Sequence, residues 1–362
     1  MIQRGTKKHD QFVIADMLEK AGVTGGFKVN TDTLEFEVKL LRKDIALVVS
    51  LLAEQLREPA LAAAELAKAK KQLIAEARQT LDDTDQQVAI AFSQAIFPPG
   101  HPSRRAGIAE LISAIEKTKL ADLRNFHASV YGPEGMHLAV TGDIDPAAFK
   151  AEVLKAFAGW TGGHAPKQAD APAANGGEKV VQLPDKSSVS VIIGEPSGLR
   201  VSDPDWLALN IGTAILGRGF TSRLVGNVRD REGLTYGIGA ALAGDAFRPG
   251  IWVTKATFAP ALLERGLAST RHEITGWWRD GISAGELEYR KSAAAGQFTT
   301  ALETTHGLAE QLLRCAERGL AVSWLDEFPS KVRALTAEEV NAAMKMHLRP
   351  DRMVTVEAGT LR

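Results

Sequence analysis

One arrangement occurs twice along this chain, and it constrains the fold more than any composition figure. A pair of short strands leads into a helix ending Leu56-Arg57-Glu58-Pro59, after which Glu65-Leu66 with Lys70 opens a long helix. A second strand pair leads into a helix ending Trp278-Arg279-Asp280-Gly281, and Glu286-Leu287 with Lys291 opens another. A strand pair must hide its apolar face, and the amphipathic helices beside it are what can cover it. The predicted fold class is therefore α+β: two duplicated domains, each an antiparallel sheet covered by helices on one face.

Local patterns fill in the elements. Phe12, Ile14, Met17 and Leu18 give Asp10 to Lys20 the apolar side of a helix, which Gly22 stops. A strand is expected around Phe27 to Val29, and Leu34, Phe36, Val38 and Leu40 alternate as another. Asp44 caps a helix through Leu56, and a further helix over Gln86 to Ile96 precedes the breaker Pro98-Pro99-Gly100. Thr118 is placed to cap a helix carrying Leu123, Phe126 and Val130. Met136 to Thr141 reads as a strand, and Asp145-Pro146 as the start of a helix with proline at its first position.

From Thr161 to Glu178 glycine, alanine and proline replace hydrophobic periodicity, which marks a linker between a domain at 1–160 and another at 179–362. The second domain opens with strands at Val180 to Leu183 and Val189 to Ile193, and Asp203-Pro204 starts a helix. Thr336 and Glu339 form a capping box, and Met353 to Glu357 closes as a strand.

A net charge of −1 over 362 residues argues against a nucleic-acid binder, which carries a basic excess or stripe. The single cysteine, Cys315, rules out an intrachain disulfide or a multi-cysteine metal site, and its helical pattern suits a buried thiol. No run approaches the ~18 apolar residues of a membrane span. The polar opening MIQRGTKKHD is no signal peptide, and nothing in the sequence assigns a compartment.

The stretch Leu216 to Tyr236, LGRGFTSRLVGNVRDREGLTY, is the candidate site. Gly217 and Gly219 make a flexible turn, Thr221 or Ser222 can cap the following helix, and Leu224 and Val228 share its apolar face until Gly233. A strand then leaves with Leu234-Thr235-Tyr236. Arg229 and Tyr236, seven residues apart across a reversal, can aim a guanidinium fork and a phenol at one space, a pair suited to binding a peptide carbonyl. Taken singly, Arg229 is a solvated helix-end cation and Tyr236 a strand aromatic.

The order Gly217 and Gly219, Ser222-Arg223-Leu224, Arg229 and Tyr236 resembles the second domain of a half-molecule of the pitrilysin, insulin-degrading-enzyme and mitochondrial-processing-peptidase family. YGPEGMHLAVTGDID, PPGHPSRRAGIAELI and the opening RGTKKHDQFVIADMLEKAGV resemble its first domain. Active members of that family carry an inverted zinc motif, His-x-x-Glu-His, with a third ligand from another helix. Here no two of His9, His101, His127, His137, His164, His272, His306 and His347 stand four apart. The resemblance places that motif just before the segment matching Met1 to Thr6, implies an N-terminally truncated first domain without its zinc-motif helix, and puts the third ligand at Glu76. Glu76 beside Arg78 also reads as an exposed helical glutamate, and its repeat counterpart Gln297 has no charge. Gly26-Phe27 stands where catalytic halves commonly have Asn-Ala.

The resemblance thus implies a non-catalytic, substrate-binding half or subunit of a zinc metallopeptidase. It would cleave peptides only with a partner chain or domain bearing His-x-x-Glu-His, where the zinc would reside. Arg229 would bind substrate carbonyls, Tyr236 would donate to the oxygen on which charge develops, and Gly217 and Gly219 would give the turn mobility. Two alternatives remain: an N-terminally truncated fragment of a complete zinc metalloendopeptidase, and a structural scaffold subunit that binds no peptide. All three expect a partner, with homo-oligomerisation open, because a sheet lacking its first strands leaves an apolar face uncovered.

Overall fold

The computed structural model describes residues 1–164 and 176–361. In chain order the first elements are α1 (Gln11–Lys20), β1 (Thr24–Val29), β2 (Leu34–Lys39), α2 (Ile45–Arg57), α3 (Ala63–Gln79) and α4 (Thr84–Ile96). Next come α5 (Ile108–Lys117), α6 (Leu120–Val130), α7 (Pro146–Ala156), β3 (Gly177–Gln182), β4 (Val189–Pro196) and α8 (Trp206–Gly217). β5 (Thr235–Ala243), β6 (Ile251–Phe258), α9 (Leu263–Asp280) and α10 (Ala284–Leu302) precede α11 (Thr305–Glu317), α12 (Trp324–Ala334), α13 (Ala337–His347) and β7 (Val354–Gly359). One unit holds Met1–Arg78, Ala109–Lys167 and Thr305–Leu313, the other Gln79–Ile108, Gln168–Thr304 and Arg314–Arg362. Of the linker expected at 161–178, residues 165–175 lie outside the described residues, and β3 already begins at Gly177.

In the first unit β1 and β2 pair antiparallel with Phe27 opposite Phe36, their ring centres 4.7 Å apart. Asp10 caps α1 by accepting from the Phe12 and Val13 amides. Glu54 on α2 takes the Thr6 hydroxyl and the His9 ring, while Arg57 reaches the carbonyls of Ala156 (2.7 Å) and Ala158 (3.1 Å) behind α7. These polar ties fix the helix ends where few apolar residues are buried.

Three expectations fail here, the first being the cap of α2: Asp44 stands at the N-cap position, but its side chain makes no capping hydrogen bond. Residues 136–141 form no strand, because alternation specifies a face and not a partner; among the described residues this unit's sheet is β1–β2 alone, and Leu138 stays exposed. α6 begins after Lys119, whose amide donates to Asp122 (2.7 Å), while the Thr118 hydroxyl turns back to the Ala114 carbonyl (2.8 Å).

The second unit is built on a five-stranded sheet in the order β3-β7-β4-β6-β5. The α+β class holds, with two departures from the expected form. β3 runs parallel to β7, so the sheet is mixed, and helices cover both of its faces rather than one. β4 shows why. Val189, Val191 and Ile193 point into a core with α8, α9 and α13, whereas Ile192 points the other way onto Val88, Ala91, Phe92 and Ile96 of α4. A strand buried on both sides reads as a continuous apolar run, and VSVII is one. Ser190 ties the start of α4 by donating to Asp85 (2.5 Å).

The larger core centres on Trp252 and Trp277, stacked with ring centres 5.9 Å apart; their indole nitrogens donate to Thr213 and to the Gly212 carbonyl, each at 3.0 Å. Gly212 lets α8 meet α13 closely, since a Cβ there would lie 2.9 Å from Val340 Cγ1. α8 starts at Trp206 rather than at Asp203-Pro204, because the Asp203 carboxylate closes a turn on the Arg200 amide (2.7 Å). The capping box of Thr336 and Glu339 forms as expected, and Cys315 is buried, which pushes its thiol pKa up.

Candidate functional site

α8 is buried along most of its length and ends at Gly217, which is not a mobile joint. A Cβ at that position would come within 2.2 Å of the Ala240 amide, so Gly217 is the point where helix and β5 touch. The turn proper sits at Gly219, with φ +80° and open space around it. Ser222 does not cap the next helix through its side chain. Its hydroxyl donates back to the Gly219 carbonyl (2.7 Å) and locks the turn.

The following segment is short and wide. Val225–Arg231 forms a π-helical turn, with the Glu232 amide on the Asn227 carbonyl five residues back (2.9 Å). Leu224 and Val228 are wholly buried on one side, as their spacing predicts, and Gly233 takes the left-handed conformation (φ +65°). Arg223 anchors the segment: its fork holds both Glu286 oxygens (2.6 and 2.8 Å) and the Gly281 carbonyl (2.9 Å). That guanidinium, aided by Ser283, holds the Glu286 carboxyl down to about 2.

β5 begins with a bulge. Thr235 pairs with Phe258 and Gly237 with Thr257, leaving Tyr236 as the extra residue. The Thr235 hydroxyl closes the bulge, donating to the Thr257 carbonyl (2.5 Å) and accepting from the Gly237 amide (3.2 Å). A bulge re-aims its side chain, and Tyr236 stands 90% exposed.

The structure brings Arg229 and Tyr236 together. The Arg229 guanidinium carbon lies 5.4 Å from the centre of the Tyr236 ring and 5.5 Å from that of Phe220, itself 78% exposed. The cation thus lies beside two aromatic rings, an arrangement that restrains a long side chain, and that side chain is part-exposed. Among the described residues its ion pair is a loose contact from Nε to Asp230 at 3.7 Å. Phe220 was not singled out from the sequence; its signal is a large apolar residue inside a glycine turn, where burial cannot be its role. What the group offers is a planar fork and a phenol on one surface, suited to an extended acceptor such as a peptide backbone.

Glu76 is not brought into such a group. It lies exposed on α3, where Gln72 Nε2 donates to it at 2.9 Å. Among the described residues no three His, Cys, Asp or Glu side chains converge to hold a metal, so the residues present do not fit a zinc centre. Several histidines have other work: His9 pairs with Glu54 (3.0 Å), His306 with Glu37 (2.7 Å) and His347 with Asp205 (2.9 Å). Among the described residues no helix is long and apolar enough to cross a membrane.

Comparison with known proteins gives this geometry a family. The model described as Insulinase (Peptidase family M16) matches residues 1–99, and the one described as Peptidase M16 inactive domain matches residues 117–294. The chain belongs to peptidase family M16, and its second portion is of the inactive-domain type. A protein from Mycobacterium leprae, named an uncharacterized zinc protease, is 25% identical over 311 residues, 84% of this chain and 68% of its own length. A Helicobacter pylori protein named non-peptidase homolog YmxG is 21% identical over 354 residues, 96% of this chain and 80% of its own. The crystal structure of a peptidase M16 inactive domain from Pseudomonas fluorescens superposes with a TM-score of 0.90 at 25% identity, over all of this chain and 86% of that one.

Proposed function

We propose that this chain is a non-catalytic, peptide-binding half or subunit that works with a His-x-x-Glu-His-bearing chain of the same family. The observation that carries the reading is the approach of the part-exposed Arg229 guanidinium to the exposed Tyr236 ring, with the Phe220 ring also beside it. Arg229 takes the carbonyls of an extended peptide, and the Tyr236 hydroxyl donates to the carbonyl oxygen as negative charge builds on it. In this reading the metal and the general base belong to the partner. The names of the relatives fit this division, one being called a zinc protease and another a non-peptidase homolog.

The test uses fluorescence anisotropy of labelled extended peptides with the purified chain, then cleavage assays after a catalytic partner is added. Arg229→Ala is expected to weaken peptide binding roughly tenfold or more. Tyr236→Phe is expected to spare binding and slow cleavage in the reconstituted pair. Peptide binding and cleavage left unchanged by both variants, or a chain that assembles with the partner yet binds no peptide, would refute the proposal and leave a scaffold.

A further inference from the structure

The glycine turn also carries two arginines that the Arg229–Tyr236 pair does not use. Arg218, between Gly217 and Gly219, follows α8 in an extended conformation (φ −112°) with its side chain exposed and one guanidinium nitrogen on Asn210 Oδ1 at 3.0 Å. Arg290 of α10 is only 6% exposed. Its Nη2 donates to the Arg218 carbonyl at 2.7 Å, its guanidinium carbon lies 5.9 Å from the centre of the Tyr289 ring, and its buried Nε has no partner.

Among the described residues neither cation pairs with a carboxylate. α8 contains no acidic residue. In α10, Glu286 is held by Arg223 (2.6 Å) and Glu288 by Lys291 (2.9 Å), while Asp280 at the end of α9 is held by Arg279 (2.7 Å). Burial pushes the pKa of Arg290 down, and the charge of Arg218 adds to the effect. Among the described residues the buried Arg290 cation meets a carbonyl and a ring and no carboxylate, so it is under-compensated, and an anion at its guanidinium would relieve it.

The geometry points to a carboxylate-recognition subsite formed by Arg218 and Arg290 on the glycine turn, next to the peptide-gripping pair. It rests on the peptide-binding reading above and gives it a substrate class: peptides presenting an acidic side chain, or their own C-terminal carboxylate. The reach is short, because Arg218 is two residues from Phe220, whose ring faces Arg229. An extended peptide advances roughly 3.3 Å per residue, so a carboxylate a few residues from the gripped carbonyl meets the arginines. An arginine fork matches a carboxylate in geometry as well as charge.

The test compares labelled peptides of one extended sequence: neutral and amidated, amidated with a single Glu walked along the chain, neutral with a free C-terminus, and amidated with Lys instead of Glu. At least one carboxylate-bearing peptide should bind about tenfold tighter than the neutral amide, with the advantage shrinking as salt rises. Whether the Glu series or the free C-terminus gains identifies the source of the carboxylate. Arg218→Gln should abolish the gain and leave the neutral peptide's affinity unchanged; Arg218→Lys should keep part of it. The Arg218 side chain is exposed, so both variants are expected to melt as the parent does. Equal affinities for Glu, neutral and Lys peptides, or a preference that survives Arg218→Gln, overturn the subsite while leaving the peptide grip standing. Failure of every peptide to bind overturns both.

Discussion

Glu195 gives the sharpest quantitative test of the second unit. It closes β4 at 5% exposure, with Oε1 accepting from the Arg349 amide at 2.6 Å. Burial pushes its carboxyl up from 4.5 to about 7; the Arg349 hydrogen bond and the charges of Arg349 and Arg352 pull down, and Asp351 pushes up again. Raised in the fold, this group holds a proton that the unfolded chain releases more readily. Its contribution is therefore complete below pH 4.5 and is lost as the pH climbs through 7. Above both values, keeping the ionised carboxyl buried costs the fold about 3 kcal/mol, most of it arriving between pH 5 and 8. Glu195→Gln keeps the size and the acceptor for Arg349 while removing the ionisation. The variant should match the parent near pH 4.5 and exceed it at pH 8 by up to about 3 kcal/mol, a gain of roughly 6–12 °C in melting temperature for a unit of this size. Thermal and urea unfolding across that pH range measure it. A gain that is the same at both ends, or a loss that grows with pH, would refute the burial argument.

Three more expectations follow from the site. Arg223→Gln removes the fork that holds Glu286 down to about 2, and should cost about 1–2 kcal/mol at pH 7; that contribution fades as the pH falls below 4.5 toward 2, which denaturant titration at pH 7 and pH 2 checks. Gly217→Ala should destabilise more than Gly219→Ala in urea unfolding. The first drives a Cβ to 2.2 Å from the Ala240 amide and costs about 2–3 kcal/mol. The second has free space and pays only for its positive φ, about 1–2 kcal/mol. Phe220→Ala should weaken every peptide alike by about two- to fivefold in anisotropy, because it removes one of the two rings restraining Arg229.

How much of this was legible in the sequence depends on whether a signal is local. Asp145 and Thr336 announce their helices because a cap reads only the next three residues, and each accepts from the amides expected of it. Pairing is not local. Residues 136–141 alternate yet find no neighbour among the described residues, β3 joins β7 from the far end of the chain and in parallel, and α4 covers a sheet made of strands about a hundred or more residues later, as Ser190 on Asp85 records. The candidate site divides the same way. The seven-residue spacing of Arg229 and Tyr236 was visible, but their convergence depends on a widened turn at Val225–Arg231 and a bulge at Thr235–Gly237, and neither irregularity has a residue signature. The Arg218–Arg290 contact joins positions 72 residues apart in sequence, so only the folded chain reveals it. A regular helix and an unbulged strand would have carried the same residues on other faces. Repairing either irregularity should therefore separate the guanidinium from the phenol while leaving the buried core of the unit intact.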